Sequence, residues 1–118
     1  CEDLDSLITK QKIDRVDYVK MDIEGGETAA LRGMKELLEN PLPLTLVIEF
    51  APAWIHAAGN SPLTFLQNLT KQGFKIFAIK DSTELIPIIP DTEKSFEELL
   101  PKTPTPFNEF INLYCVRI

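Results

Sequence analysis

The stretch Val16-Asp-Tyr-Val-Lys-Met-Asp-Ile-Glu-Gly-Gly-Glu27 begins as an apolar, β-type run and stops at two carboxylates and two glycines, after which a helical pattern starts. It reads as a strand, a tight turn and a helix, with acids at the turn. In open α/β sheets ligands bind outside the carboxyl ends of the strands. Asp22 and Glu24 therefore stand where chemistry is expected.

Outward from this stretch the pattern repeats. Asp3 can cap a short helix over residues 4–11, with Leu4, Leu7 and Ile8 on one face. The strand of residues 16–23 is followed by a helix predicted over 27–39, where Ala30, Leu31, Met34, Leu37 and Leu38 form one apolar stripe ended by Pro41 and Pro43. Residues 44–50, Leu-Thr-Leu-Val-Ile-Glu-Phe, have the composition of a strand covered on both faces by helices. A loop holding Trp54 and His56 follows. Ser61-Pro62 then supplies an N-cap and a proline at the first helical position, and Phe65, Leu66 and Leu69 carry a stripe to Gly73. Residues 74–79 read as the next strand.

Strand, helix, strand, helix, strand at this spacing predicts right-handed crossovers and a parallel sheet. Beyond Asp81 the pattern changes: residues 85–89 are a short apolar run, Ser95-x-x-Glu98 fits a capping box, and residues 101–106 are proline-rich. No helical crossover leads into residues 112–118, so that strand is expected to pair antiparallel, between the strands starting near Leu44 and Phe74.

With 118 residues, 44% of them hydrophobic and 25% charged, the chain has the makeup of one globular domain. A net charge of −6 without a Lys/Arg cluster argues against nucleic acid or an anionic membrane as partner and favours a small molecule. No apolar run approaches the roughly 18 residues of a membrane span. Cys1 and Cys115 lack metal-type spacing and fit two unpaired thiols in a reducing compartment, so the expected location is cytoplasmic. The opening on Cys1 in place of Met suggests a piece of a longer polypeptide.

Several side chains carry candidate chemistry. Lys20 and Asp22 alternate on one strand face, with Glu24 two residues further on. A lysine in a helix-covered strand is costly unless paired, and Glu49, sharing a face with Thr45 and Val47, is its candidate partner. That pair would close the sheet without a role in chemistry. His56, the chain's one histidine, lies past the strand that carries Glu49 and suits a general base, although a lone loop histidine is often just a surface residue. Trp54 would either wall a pocket or cover core. Glu27 is read as complementing the helix N-terminus, and Gly33, costly within a helix, as packing closely on the sheet.

Leu4-Asp-Ser-Leu7, Asp17-Tyr-Val-Lys-Met-Asp-Ile-Glu-Gly-Gly-Glu27, Leu31-Arg-Gly-Met34, Leu46-Val-Ile-Glu49 and Asn112-Leu-Tyr-Cys-Val-Arg117 together resemble the FkbM-type family of S-adenosylmethionine-dependent methyltransferases. The resemblance implies a class I, Rossmann-like methyltransferase fold with an antiparallel last strand. Residues 1–118 would be the C-terminal half of that domain, and the N-terminal cofactor-binding half would precede them. The chain has no G-x-G-x-x-G turn, so by itself it is expected to bind S-adenosylmethionine weakly or not at all.

The activity implied is O-methylation of a small-molecule or glycan hydroxyl. Asp22 and Glu24 would face the cofactor and take part in catalysis with His56 as base, while Glu49 and Trp54 would lie on the acceptor side. No metal ligand is assigned. Two other readings stand beside this one: a Mg²⁺ held by Asp22 and Glu49 that assists the transfer, and a non-catalytic binding or scaffold module. The edge of the first strand, open if its other neighbour is missing, is expected to favour self-association.

Overall fold

The computed structural model describes residues 2–23, 25–80, 84–90 and 110–118. The elements are α1 (Leu4–Lys10), β1 (Tyr18–Met21), α2 (Glu27–Arg32), α3 (Lys35–Glu39), β2 (Leu44–Phe50), α4 (Pro52–Ala57), α5 (Pro62–Lys71), β3 (Lys75–Lys80), β4 (Glu84–Ile88) and β5 (Ile111–Arg117). Five strands form one mixed sheet in the order β1-β2-β5-β3-β4. β1 runs parallel to β2. β5 enters antiparallel between β2 and β3, as its lack of a helical crossover predicts. The apolar run after Asp81 is β4, which pairs antiparallel with β3 at the sheet's far edge. The capping-box sequence 95–98 and the proline-rich stretch 101–106 lie outside the described residues.

One sheet face makes the core. Leu44, Leu46, Ile48 and Phe50 of β2, Leu113 and Cys115 of β5 and Ile76 of β3 are buried with Met34, Leu38, Ile55, Phe65, Leu66 and Leu69 from the helices. Phe50 and Phe65 stack with ring centroids 5.7 Å apart. The opposite face of β2, with Thr45, Val47 and Glu49, is half-buried. This corrects the expectation of a strand covered equally on both sides: a continuous apolar run does not by itself report two helical layers. Lys20, on β1, is exposed. Its charge stays in water, so the expected need for a buried partner falls away. No helix among the described residues is long and apolar enough to cross a membrane.

The strand predicted over 16–23 is ordered as a strand from Tyr18 to Met21, the four positions in register with Thr45 to Ile48. The helix predicted over 27–39 is two helices. Gly33 ends α2, and a Cβ there would stand 2.9 Å from Asp3 Cβ, so the glycine packs on the start of α1 and not on the sheet. The Asp5 carboxylate accepts from the N–H groups of Glu36 (2.8 Å) and Leu37 (3.2 Å), capping α3, while Asp5 N–H donates to Gly33 O at 2.9 Å. α1 therefore reaches across the break. Its own N-cap, Asp3, accepts from Ser6 N–H at 2.7 Å, which holds the Asp3 carboxyl below its ordinary pKa.

Arg117 ties the other ends together. Its side chain is buried, and its guanidinium donates to the carbonyl oxygens of Leu37, Leu38, Asn40, Leu42 and Gln72. Most of these belong to the C-terminal ends of α3 and α5, whose last carbonyls lack helical partners. The guanidinium also lies 4.7 Å from the centre of the Phe74 ring. Burial lowers its pKa from the ordinary value.

Candidate functional site

Parallel pairing places the carboxyl ends of β1 and β2 side by side. Met21 stands opposite Ile48, so Asp22 and Glu49 follow as neighbours at the sheet edge. Asp22 is exposed and Glu49 half-exposed. On the other flank of β2, Glu49 is opposite Asn112 of β5. Directly opposed residues of an antiparallel pair project on one face. The edge thus presents Asp22, Glu49 and Asn112 in a row across three strands. Asn112 goes unmarked in the sequence because its place depends on β5 entering beside β2.

The turn after β1 is fixed by close packing. Gly25 has φ +96°, and a Cβ there would lie 2.8 Å from Trp54 O and 3.1 Å from Trp54 Cβ. A side chain at this position would be strained by its φ and also blocked by the neighbouring backbone. Gly26 N–H donates to Ile23 O at 3.1 Å, closing the turn. Glu24 lies outside the described residues.

Trp54 and His56 sit on helix α4, not in a loop: Pro52 occupies the first turn, and Trp54 carbonyl accepts from Ala58 N–H at 3.0 Å. Pro52 and Ile55 face inward. Trp54, 39% exposed, starts toward the Gly25 turn. Two residues along a helix turn about 200°, so His56, which is exposed, projects from the other flank of α4.

Glu27 heads α2, in keeping with its reading as a complement to the helix N-terminus. It is also 0% exposed, and both carboxylate oxygens lack a hydrogen-bond partner among the described residues. Spacing gives the reason for its burial. Glu27 shares a face of α2 with Ala30 and Leu31, both of which pack against the core. That spacing, an acid at the head of an apolar stripe, is the signal in the sequence that marks it.

Among the described residues, no group of three or more His, Cys, Asp or Glu side chains could hold a metal ion. Asp22 and Glu49 alone make a poor cation site. Cys115 is free and buried, and desolvation pushes its thiol up to about 12, which makes it unsuited to nucleophilic work. The cleft between α2–α3 and α5, about 440 Å³, is lined by Leu31, Arg32, Lys35, Phe65 and Asn68 among others, away from the Asp22 edge.

Residues 1–76, which include α1, the acid-ended β1, the glycine turn, β2 and α4, match the methyltransferase FkbM domain family. The chain belongs to the FkbM methyltransferase family. No curated protein and no solved structure matches it. The family match therefore covers the Asp22 edge and the α4 helix that packs on it, while Asn112 lies outside the matched residues.

Proposed function

We propose that this chain is the acceptor-side, C-terminal half of an S-adenosylmethionine-dependent methyltransferase domain with a class I, Rossmann-like fold. The reaction is methyl transfer to a hydroxyl oxygen of a small molecule or glycan. The observation that carries this reading is an FkbM-family strand whose carboxyl end brings Asp22 beside Glu49 at the edge of the sheet, where ligands of open α/β sheets bind.

The residues present fit one flank of a sulfonium donor. Asp22 is exposed beside a turn whose backbone is held by Trp54, and an acidic edge complements positive charge. When bound, the donor supplies an electrophilic methyl group: the C–S bond breaks as the C–O bond forms, and the hydroxyl proton leaves. For such an in-line displacement the protein's work is alignment and proton acceptance.

Asp22 accepts a hydrogen bond from donor or acceptor and orients it. Glu24 is the second choice for that role. His56 is the candidate base, although its place on the far flank of α4 sets it apart from the Asp22 turn. Glu49 and Trp54 border the acceptor.

The reading is tested by titrating the full-length protein with S-adenosylmethionine and following methyl transfer to polyhydroxylated acceptors. Saturable binding with methyl ether formation is expected. A protein that binds neither donor nor acceptor would be a scaffold module.

A further inference from the structure

Methyl transfer at the Asp22 edge gives no role to the buried carboxylate of Glu27. A charged group taken out of water without a partner is costly, and native folds satisfy such groups. Here both oxygens are orphaned at once among the described residues, in a side chain that is 0% exposed.

Its position narrows the role. α2 follows β1 with one turn between them, so the first residue of α2 lies at the carboxyl edge of the sheet. Glu27 is that residue, two positions past Gly25. Side chains of a helix tilt toward its N-terminus, which directs this carboxylate toward the edge that carries Asp22 and Glu49. It stands on the helix-covered side of the sheet, below the Gly25–Gly26 turn.

We propose that Glu27 is a further ligand-binding residue, a receptor for a protonated amine carried by the methyl acceptor. This rests on the methyltransferase reading for the identity of the ligand, which becomes an amino alcohol or amino sugar. A primary ammonium is small, carries one charge and has three donors. It can satisfy both oxygens with charge-assisted hydrogen bonds, whereas a neutral hydroxyl brings one donor and no charge.

The test uses glucosamine and glucose, which differ by amine against hydroxyl at one carbon, added to the full-length protein and to its Glu27→Gln variant. Backbone amide resonances of Gly25 and Gly26 report binding, and thermal melts report stability. Glucosamine should bind about tenfold or more tighter than glucose, and Glu27→Gln should abolish that preference. The amide keeps the shape and removes an unpaired buried charge, so the variant's melting temperature should hold or rise.

Equal binding of the two sugars, or binding of neither, overturns the proposal. So does a fall in the Gln variant's melting temperature by about 5 °C or more, because it would show that the carboxylate has a partner within the protein. An amine preference without methyl transfer would keep the receptor and remove the methyltransferase reading. Transfer to hydroxyls without an amine preference would do the reverse.

Discussion

A side-chain carbon on Gly25 would stand 2.8 Å from the carbonyl oxygen of Trp54, so the turn after β1 and helix α4 meet backbone to backbone. Gly25→Ala adds that overlap to a φ of +96°. A loss of about 1–3 kcal/mol is expected, read from urea midpoints. Gly59 provides the control: it also has positive φ, +85°, but a Cβ there would meet no atom within 4 Å. Gly59→Ala should therefore cost less than Gly25→Ala. Equal costs would mean that the Trp54 contact contributes nothing.

Arg117 should prove the most sensitive charged residue for folding. Its guanidinium serves five carbonyl oxygens where α3 and α5 end. Lysine keeps the charge but cannot spread donors over that fork. Each carbonyl left buried and unsatisfied costs about 1–3 kcal/mol, although water can reach part of the site. Arg117→Lys is expected to lower stability by about 2–4 kcal/mol on this basis, and chemical denaturation checks it. A variant as stable as the parent would show that other donors replace the guanidinium.

Asp5 holds the start of α3 from a distant point in the sequence. Removing its carboxylate with Asp5→Ala leaves the N–H groups of Glu36 and Leu37 without their acceptor. Loss of a helix cap costs about 1 kcal/mol. Amide exchange should quicken first at Glu36 and Leu37, a pattern that uniform destabilisation would not give.

The strand order is legible in the sequence because it follows from connection type. Helical crossovers make β1, β2 and β3 parallel, and the helix-free approach to the last strand makes it antiparallel. What cannot be read locally depends on tertiary partners. Periodicity runs straight through Gly33, since the stripe of Leu31, Met34 and Leu38 continues; the break comes from Asp3 and Asp5 of α1 pressing on that point. Lys20 reads as buried because its strand is apolar, but the face it occupies is open. The Asp22–Glu49 pairing is within reach of register arguments. The burial of Glu27 is marked by its place at the head of the apolar stripe, whereas Asn112 needs the folded sheet.

β1 forms an edge of the sheet and pairs with β2 alone among the described residues. Tyr18 on it is 57% exposed. An open edge invites another strand, so this chain should self-associate as concentration rises. Light scattering across a concentration series is the check. Thr45 N–H donates to Asp17 O in the parallel register Tyr18–Thr45, which turns the Lys20 N–H to the open side. Lys20→Pro should therefore suppress association, and a monomer at every concentration would remove the edge as an interface.

Asp22 and Lys20 separate chemistry from stability on the same strand. Both are exposed, so neither Asp22→Asn nor Lys20→Met should shift stability by more than about 0.5 kcal/mol. Their effects on methyl transfer should differ. The amide at position 22 keeps the shape of the carboxylate but loses the charge that orients donor or acceptor, and the rate should fall roughly 10²-fold or more. Lys20→Met should leave the rate near that of the parent, because Lys20 lies two residues short of Asp22, the acid at the sheet edge. Melting curves and single-turnover rates on both variants are the measurements. Normal turnover by Asp22→Asn would take Asp22 out of the mechanism, and a collapse in Lys20→Met would move the chemistry onto the open face of the sheet.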